Sequence, residues 1–175
     1  GRSPSTHPSS VRPEPPGVTP KGLGWSRTVD RPSIVGMSTD TDRNKKLVDS
    51  FIQELFTKGD LDAVDRHLSP DFVHHDPPFS GTPEGREGMR QSAAMIRAAL
   101  PDWHSDLELL IAEGDHVAER FTASGTHRGE FYGVAPTGKT LVLPGINVYR
   151  IRDERIVEMW SQLDVLGLLR QLGLA

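Results

Sequence analysis

The main period of the hydrophobic pattern of this 175-residue chain changes at Pro101. Before that proline, apolar residues such as Leu47, Phe51 and Leu55 recur at helical spacing. After it, apolar and polar residues alternate, as they do along β-strands that have two different faces. Helices followed by a series of consecutive strands predict an α+β domain.

The predicted order of elements is α-α-β-α-β-β-β-β, with a short helix at the C-terminus. The predicted helices and the strand between them span about 41–58, 60–68, 71–76 and 84–100. The four later strands span about 103–112, 116–126, 141–151 and 155–164. Alternation along the first of them predicts that one face carries Trp103, Ser105, Leu107, Leu109 and Ile111. A strongly twisted sheet of this length can curl around the first helices and leave a cavity. We therefore expect a cone-shaped α+β barrel, in which a curved, mostly antiparallel sheet surrounds an internal pocket.

The N-terminal region differs in composition from the rest of the chain. Residues 1–36 contain seven of the 14 prolines and little apolar periodicity, so they cannot bury enough surface to offset the entropy of ordering. We predict that residues 1–40 are a disordered or non-native extension and that 41–175 form the domain. Met37 is the expected natural start of the protein.

Composition and charge narrow the classes of partner. Residues 1–36 carry five Lys or Arg and two Asp or Glu, whereas the remainder carries 15 and 22, a net charge of −7. An acidic domain without a basic stripe is a poor binder of nucleic acid, and no apolar run is long enough to cross a membrane. The absence of cysteine excludes disulfides and thiolate zinc sites, and it fits a cytoplasmic location.

Several motifs in the second half of the chain occur in one order and spacing. They are Asp71-Phe72-Val73-His74-His75-Asp76-Pro77, Leu100-Pro101-Asp102-Trp103, Glu113-Gly114-Asp115, Gly125-Thr126-His127-Arg128-Gly129-Glu130-Phe131-Tyr132-Gly133, Pro136-Thr137-Gly138-Lys139, and Ile156 to Asp164 with Gly167 to Gly173. On these motifs, residues 44–173 resemble the SnoaL-like ester and polyketide cyclases of the nuclear transport factor 2-like superfamily. The resemblance is specific for the family and weaker for the reaction, because this fold supports many functions.

The resemblance implies an enzyme that closes a ring in a small hydrophobic polyketide-type ester by intramolecular aldol condensation, without a cofactor. It implies that an aspartate near the end of the last strand, here Asp164, acts as the acid or base. It also implies a homodimer that is formed through an exposed face of the sheet. In this chain Met159 occupies a position where the family often has histidine.

Residues on the last strand support two interpretations of Asp164. By strand alternation Trp160, Gln162 and Asp164 share a face, which we predict to line the pocket. Trp160 would then form a wall for a flat substrate and raise the pKa of the carboxyl by excluding water. Alternatively, Asp164 is the N-cap of the C-terminal helix, where Asp is favoured. The two roles are compatible.

His74 and His75 end a short strand, and neighbouring strand residues point to opposite sides. Only one of them can therefore face the cavity directly. The family pattern favours His75, which we predict to assist Asp164 by hydrogen bonding to a substrate oxygen. The alternative is a structural histidine bound to loop backbone. Adjacent strand residues do not easily bind one metal ion together, so we predict no metal site.

His74 and three further residues are candidates for binding the substrate. Arg120 lies in mid-strand and could hold a carboxylate or ester oxygen, or instead pair with Asp106 or Glu108 at the surface. Asn147 shares a strand face with Gly145 and Tyr149, and it could donate a hydrogen bond in the pocket or face solvent. Phe131 lies in a glycine-rich loop that could cover the mouth of the pocket.

The sequence is also compatible with two other functions. The domain could bind a small hydrophobic or aromatic molecule without catalysis, or it could be a hydrolase that activates water. Related hydrolases of this superfamily have Arg-x-Asp on the strand that contains Arg120, and this chain has Thr122 at the third position. That difference argues against epoxide hydrolysis.

Overall fold

The computed structural model describes residues 34–79 and 81–175, with side chains from Asp40 onward. Residues 1–33 of the predicted extension therefore lie outside the described residues. Helix α1, Ile34–Ile52, begins before the predicted position near residue 41. None of the described helices is both long and apolar enough to span a membrane.

Four helices and one π-helical turn are present in the described part of the chain. Helix α1 continues directly into the π-helical turn Gln53–Thr57, and Gly59 then ends the helical path with a positive φ of 75°. The other helices are α2 (Ala63–His67), α3 (Gly85–Ala99) and α4 (Val165–Leu172). Helix α4 ends at Gly173, which adopts the left-handed conformation that is common after a helix.

Five strands of the described residues form one sheet. They are β1 (Leu68–His74), β2 (His104–Glu113), β3 (His116–Thr126), β4 (Thr140–Arg152) and β5 (Arg155–Leu163). Their order is β1-β5-β4-β3-β2, and the edge strands β1 and β2 do not pair with each other. The predicted α+β architecture with a curved, mostly antiparallel sheet is confirmed, and the sheet is not closed.

Strand β1 is the exception to the antiparallel pattern, since it pairs with β5 in parallel. It begins at Leu68 and so includes Pro70, which we had expected to separate a helix from a later strand. A proline lacks the backbone N–H with which a residue of a central strand pairs with a neighbouring strand. An edge strand tolerates a proline, because one of its sides has no partner strand. The edge position of β1 therefore explains the longer strand.

The core lies between the helices and the inner face of the sheet. One cluster joins α1 and the turn after it to the strands through Phe51, Leu55, Val117 and Tyr149. A second cluster lies under the loop that connects β3 and β4 and includes Trp103 and Phe121. The cavity described below borders both clusters.

Strand β2 contains a bulge that strict alternation does not predict. Leu107 pairs with Phe121 but Leu109 pairs with Arg120, so Glu108 is the extra residue. Trp103 and Ser105 are buried, as expected, whereas Leu109 and Ile111 are 49% and 58% exposed. The prediction that all four share one face with Leu107 was therefore wrong. Leu110 packs against the core in place of Leu109.

Candidate active site

A cavity lies between the inner face of the sheet and helices α1 and α3. It encloses about 600 Å³ of empty space, which includes its opening to solvent. Its walls are mainly apolar and include Ile52, Phe56, Met89, Ile96, Trp103, Phe121, Ala123, Leu143, Met159 and Leu163. Such a lining fits a small hydrophobic or aromatic molecule.

One row of polar side chains crosses this apolar surface. Glu119 on β3 pairs with Asn147 on β4, which pairs with Ser161 on β5. The imidazole Nε2 of His74 on β1 lies 2.9 Å from Ser161 Oγ, which extends the row to a fourth strand. All four residues line the cavity. We refer to Glu119, Asn147, Ser161 and His74 as the polar row.

Glu119 is the buried carboxyl of the polar row and is 1% exposed. Its Oε2 accepts hydrogen bonds from Tyr149 Oη at 2.6 Å and from Asn147 Nδ2 at 2.9 Å. Burial raises its pKa above the usual value, although the two hydrogen bonds act in the opposite direction. Glu119 is therefore a stronger base than an exposed carboxylate, and its Oε1 is left for a ligand.

Tyr149 supports this carboxyl from the floor of the cavity. It is completely buried, and its pKa is raised well above the usual value by burial and by the neighbouring Glu119. Tyr149 therefore stays protonated and donates its hydroxyl hydrogen to Glu119. Asn147 Nδ2 completes the group by donating to Tyr149 Oη at 3.1 Å.

His74 is the second titratable member of the polar row. Burial lowers its pKa from 6.5 to about 4, and this effect exceeds the opposing attraction of Asp76. The imidazole is consequently neutral at physiological pH. A neutral imidazole next to a serine hydroxyl can exchange hydrogen bonds with a carbonyl or hydroxyl group of a ligand.

His75, which we had predicted to face the cavity, lies on the outer face of the sheet. Its Nε2 is 2.9 Å from Glu158 Oε2, and its ring stacks on Trp160 with 4.5 Å between the ring centres. His74 is therefore the histidine that faces inward, and the expectation that only one of the pair does so is met. The family pattern favoured His75, and this choice was wrong because the side chain of His74, the last residue of β1, points inward.

The orientation predicted for the last strand was also wrong. Met159, Ser161 and Leu163 line the cavity, whereas Trp160 and Gln162 lie on the outer face. Arg120 is likewise on the outer face, where its Nε is 3.1 Å from Glu108 Oε2. This ion pair is one of the two alternatives considered for Arg120. Trp160, Gln162 and Arg120 do not contact the cavity.

Asp164 occupies the N-cap of α4, the structural role considered for it. Its Oδ1 accepts a hydrogen bond from the backbone N–H of Gly167 at 2.8 Å, and the residue is exposed. It is absent from the cavity lining described above. Its catalytic role stays a prediction, and the polar row is the better-placed source of acid and base.

Phe131 borders a second, smaller apolar cavity that shares Pro78, Ile96 and Leu163 with the first. The glycine-rich loop that contains Phe131 is attached to the end of α3, because the N–H groups of Arg128 and Gly129 both donate to the Ala99 carbonyl. Phe131 also contacts Phe79, with 6.0 Å between the ring centres. The loop thus forms part of the wall beside the main cavity.

His74 and Asn147, two of the pocket residues predicted from the sequence, both line the cavity. Glu119, Tyr149 and Ser161 also line it and were not predicted. Glu119 had a recognisable signal, since it alternates with Val117, Phe121 and Ala123 on the inner face of β3. A charged residue within such an apolar series indicates a buried, paired group.

No group of three or more metal-binding side chains occurs among residues 40–79 and 81–175. His74 and His75 lie on opposite faces of the sheet, and the polar row contains one histidine and one carboxyl. The groups available for chemistry in the cavity are therefore acids, bases and hydrogen-bonding side chains.

A family model described as SnoaL-like polyketide cyclase matches residues 46–172. No protein in a curated set matches the sequence. Among solved structures, IdmH from Streptomyces antibioticus, provisionally described as a polyketide cyclase, is 36% identical with a TM-score of 0.64. The match covers 74% of this chain and 98% of IdmH.

Two further structures from Streptomyces are similar. TsrD from Streptomyces laurentii is 29% identical, with a TM-score of 0.68 over 77% of this chain and 97% of its own. AclR from Streptomyces galilaeus, provisionally described as a hydroxylase, is 31% identical, with a TM-score of 0.68 over 77% and 87% of the two chains. Different activities are thus ascribed to proteins of this fold.

Proposed function

Because the chain belongs to the SnoaL-like polyketide cyclase family, we propose that it closes a ring in a small hydrophobic polyketide-type ester by acid and base catalysis without a cofactor. The observation that carries this proposal is the polar row, which places a buried carboxyl of raised pKa on the wall of an apolar cavity. The family and the structural similarity to IdmH support a cyclase-type function.

We assign the role of base to Glu119. Its ionised form would remove a proton from a carbon that lies between two carbonyl groups of the substrate, since such C–H bonds are acidic. The resulting enolate carbon attacks a second carbonyl of the same molecule, and a carbon–carbon bond forms. The alkoxide then takes a proton, for which the protonated Glu119 is the nearest donor in the polar row.

Ser161 and His74 would stabilise the negative charge that develops on the substrate oxygen. If Nε2 of His74 carries the hydrogen, it donates to Ser161 Oγ, and the serine hydroxyl hydrogen is free for the enolate. Donors of this kind are effective in a cavity from which water is largely excluded. The aromatic walls, which include Trp103 and Phe121, would hold a flat substrate in place.

Product analysis tests this proposal. The purified protein is incubated with an aromatic poly-β-ketone methyl ester, and the product is identified by mass spectrometry and NMR. An aldol ring closure leaves the mass unchanged, whereas any subsequent dehydration removes one water. We expect ring closure with the natural protein and a large loss of rate with Glu119→Gln, and a rate no faster than the uncatalysed reaction in both would contradict the proposal.

One observation favours a hydrolase as the second candidate. The buried acceptor Asn147 Oδ1 has no hydrogen-bond partner and lies beside Glu119, so the two could hold a water molecule for attack on the substrate. Hydrolysis adds one water to the substrate mass, and the same mass spectrum therefore separates the two reactions.

The outer face of the sheet supports the proposal of a homodimer. Leu109 and Ile111 on β2 and Ile146 on β4 are each about half exposed on this face, together with Val148 and part of Trp160. Exposed apolar patches of this kind commonly mark protein–protein contacts. A cytoplasmic location stays a prediction from the absence of cysteine.

A further inference from the structure

The hydrogen bonds around Glu119 leave one buried acceptor without a partner. Tyr149 has a single hydroxyl hydrogen, which it donates to Glu119 Oε2. Its oxygen can therefore only accept from Asn147, and Glu119 Oε2 also accepts. These two contacts require the amide nitrogen of Asn147 to face Glu119 and Tyr149, so the orientation of the amide is fixed by its neighbours.

The amide oxygen of Asn147 consequently has no hydrogen-bond donor. The residue is 6% exposed, its Oδ1 is buried and unpartnered, and its side chain lines the cavity. A buried acceptor that lacks a donor costs roughly 1–3 kcal/mol. Most buried polar groups in proteins are paired, so an unpaired acceptor on a cavity wall calls for a donor on the molecule that fills the cavity.

We infer that the cavity selects planar aromatic or enolic ligands that carry a hydroxyl group, which donates a hydrogen bond to Asn147 Oδ1. The aromatic side chains Phe56, Trp103 and Phe121 supply the surrounding walls. This inference rests on the proposed function in that it places the substrate in this cavity. It adds the requirement that the substrate presents a hydroxyl donor next to Glu119.

Discrimination against a ligand that lacks the hydroxyl should be strong. A site that is built to hydrogen-bond a hydroxyl rejects analogues without it, because its buried polar group stays unpaired in their complexes. A methyl group has nearly the size of a hydroxyl and is more hydrophobic. In an apolar cavity without an unpaired acceptor, the methyl analogue would bind at least as tightly as the hydroxyl compound.

The test compares 2-naphthol with 2-methylnaphthalene, which have nearly the same shape, by calorimetric titration. We expect the natural protein to bind 2-naphthol about 10-fold or more tightly than 2-methylnaphthalene. Asn147→Leu should abolish or reverse this preference. Gln162→Leu is the matched control, since it makes a similar amide-to-leucine change on the outer face and should keep the preference.

A second measurement covers the case in which Asn147→Leu does not fold. In the natural protein, 2-naphthol should shift the NMR signal of the Asn147 side-chain amide, and 2-methylnaphthalene should shift it much less. Equal or weaker binding of 2-naphthol, an unchanged preference in folded Asn147→Leu, or failure of both compounds to bind would overturn the inference.

Binding and turnover separate this inference from the proposed function. A preference for 2-naphthol without ring closure of any ester would leave the inference standing and remove the cyclase proposal. Ring closure without a preference for 2-naphthol would support the cyclase proposal and overturn the inference.

Discussion

His74 and His75 are neighbours in the sequence and lie in opposite environments. His74 is packed in the cavity wall, where burial holds its pKa near 4, whereas His75 pairs with Glu158 on the outer face. The same contrast separates Ser161 from Trp160 and Gln162 on β5. At the scale of single residues, the direction in which a side chain leaves the strand decides whether it can take part in chemistry.

The lowered pKa of His74 predicts a pH-dependent stability. The folded state holds the imidazole neutral down to about pH 4, while the unfolded chain gains a proton near pH 6.5. His74 therefore stabilises the fold fully above pH 6.5, and this contribution is lost as the pH falls towards 4. Linkage gives an upper bound of about 3 kcal/mol, which solvent screening reduces because the ring is only partly buried.

Urea denaturation of His74→Gln between pH 7 and pH 4 measures this effect. The variant should lose less stability over that range than the natural protein. His104→Gln, whose ring is exposed, is the control and should follow the natural protein. Parallel pH curves for His74→Gln and the natural protein would contradict the assignment.

Asp164 is predicted to act on stability through its cap. Asp164→Ala removes the acceptor for the Gly167 N–H and should lower the free energy of unfolding by about 1 kcal/mol. Asp164→Asn retains a capping oxygen and should cost less. Chemical denaturation of the two variants measures the difference, and equal losses in both would indicate that the carboxylate charge matters more than the cap.

At the scale of elements, alternation predicted which segments are strands but not always which face is buried. The bounds of β3 were predicted correctly, and Asn147 was grouped correctly with Tyr149. The bulge at Glu108 reverses which side chains of the second half of β2 point inward. No proline or turn residue marks the position of the bulge in the sequence. On β5 both faces contain apolar residues, so the pattern alone could not show which one lines the cavity.

The bulge makes opposite predictions for two adjacent leucines. Leu110 packs against the core and Leu109 is about half exposed, whereas unbroken alternation would place Leu109 inside with Trp103. We expect Leu110→Ala to lower the free energy of unfolding by about 2 kcal/mol and Leu109→Ala to change it much less. Urea denaturation at low protein concentration measures both, and a larger loss for Leu109→Ala would show that the bulge is misplaced.

At the scale of the whole molecule, the two faces of the sheet carry the two proposals, chemistry on the inner face and dimer contact on the outer face. The inner face carries the polar row and the cavity. The outer face carries exposed apolar residues beside a charged series that includes Arg150 and Glu158, which form an ion pair.

The proposed dimer predicts the effect of a charge on the outer face. Ile111→Lys should turn a dimer into a monomer, because a lysine within the apolar contact cannot be buried without a partner. Light scattering coupled to size-exclusion chromatography measures the mass. Leu174→Lys is the control, since Leu174 is 52% exposed and follows α4 instead of belonging to a strand. A natural protein that is monomeric at all concentrations would refute the dimer.

The central claim is that acid and base catalysis occurs at Glu119 in the cavity and not at Asp164 on the N-cap of α4. The most direct measurement is kcat/KM of Glu119→Gln and Asp164→Asn for ring closure of an aromatic poly-β-ketone methyl ester, with both variants shown to be folded by circular dichroism. Each substitution removes a charge and leaves an amide of nearly the same size. We predict that Glu119→Gln lowers kcat/KM by about 10²- to 10⁴-fold and that Asp164→Asn changes it little. The opposite result, with activity lost in Asp164→Asn and kept in Glu119→Gln, would contradict the account.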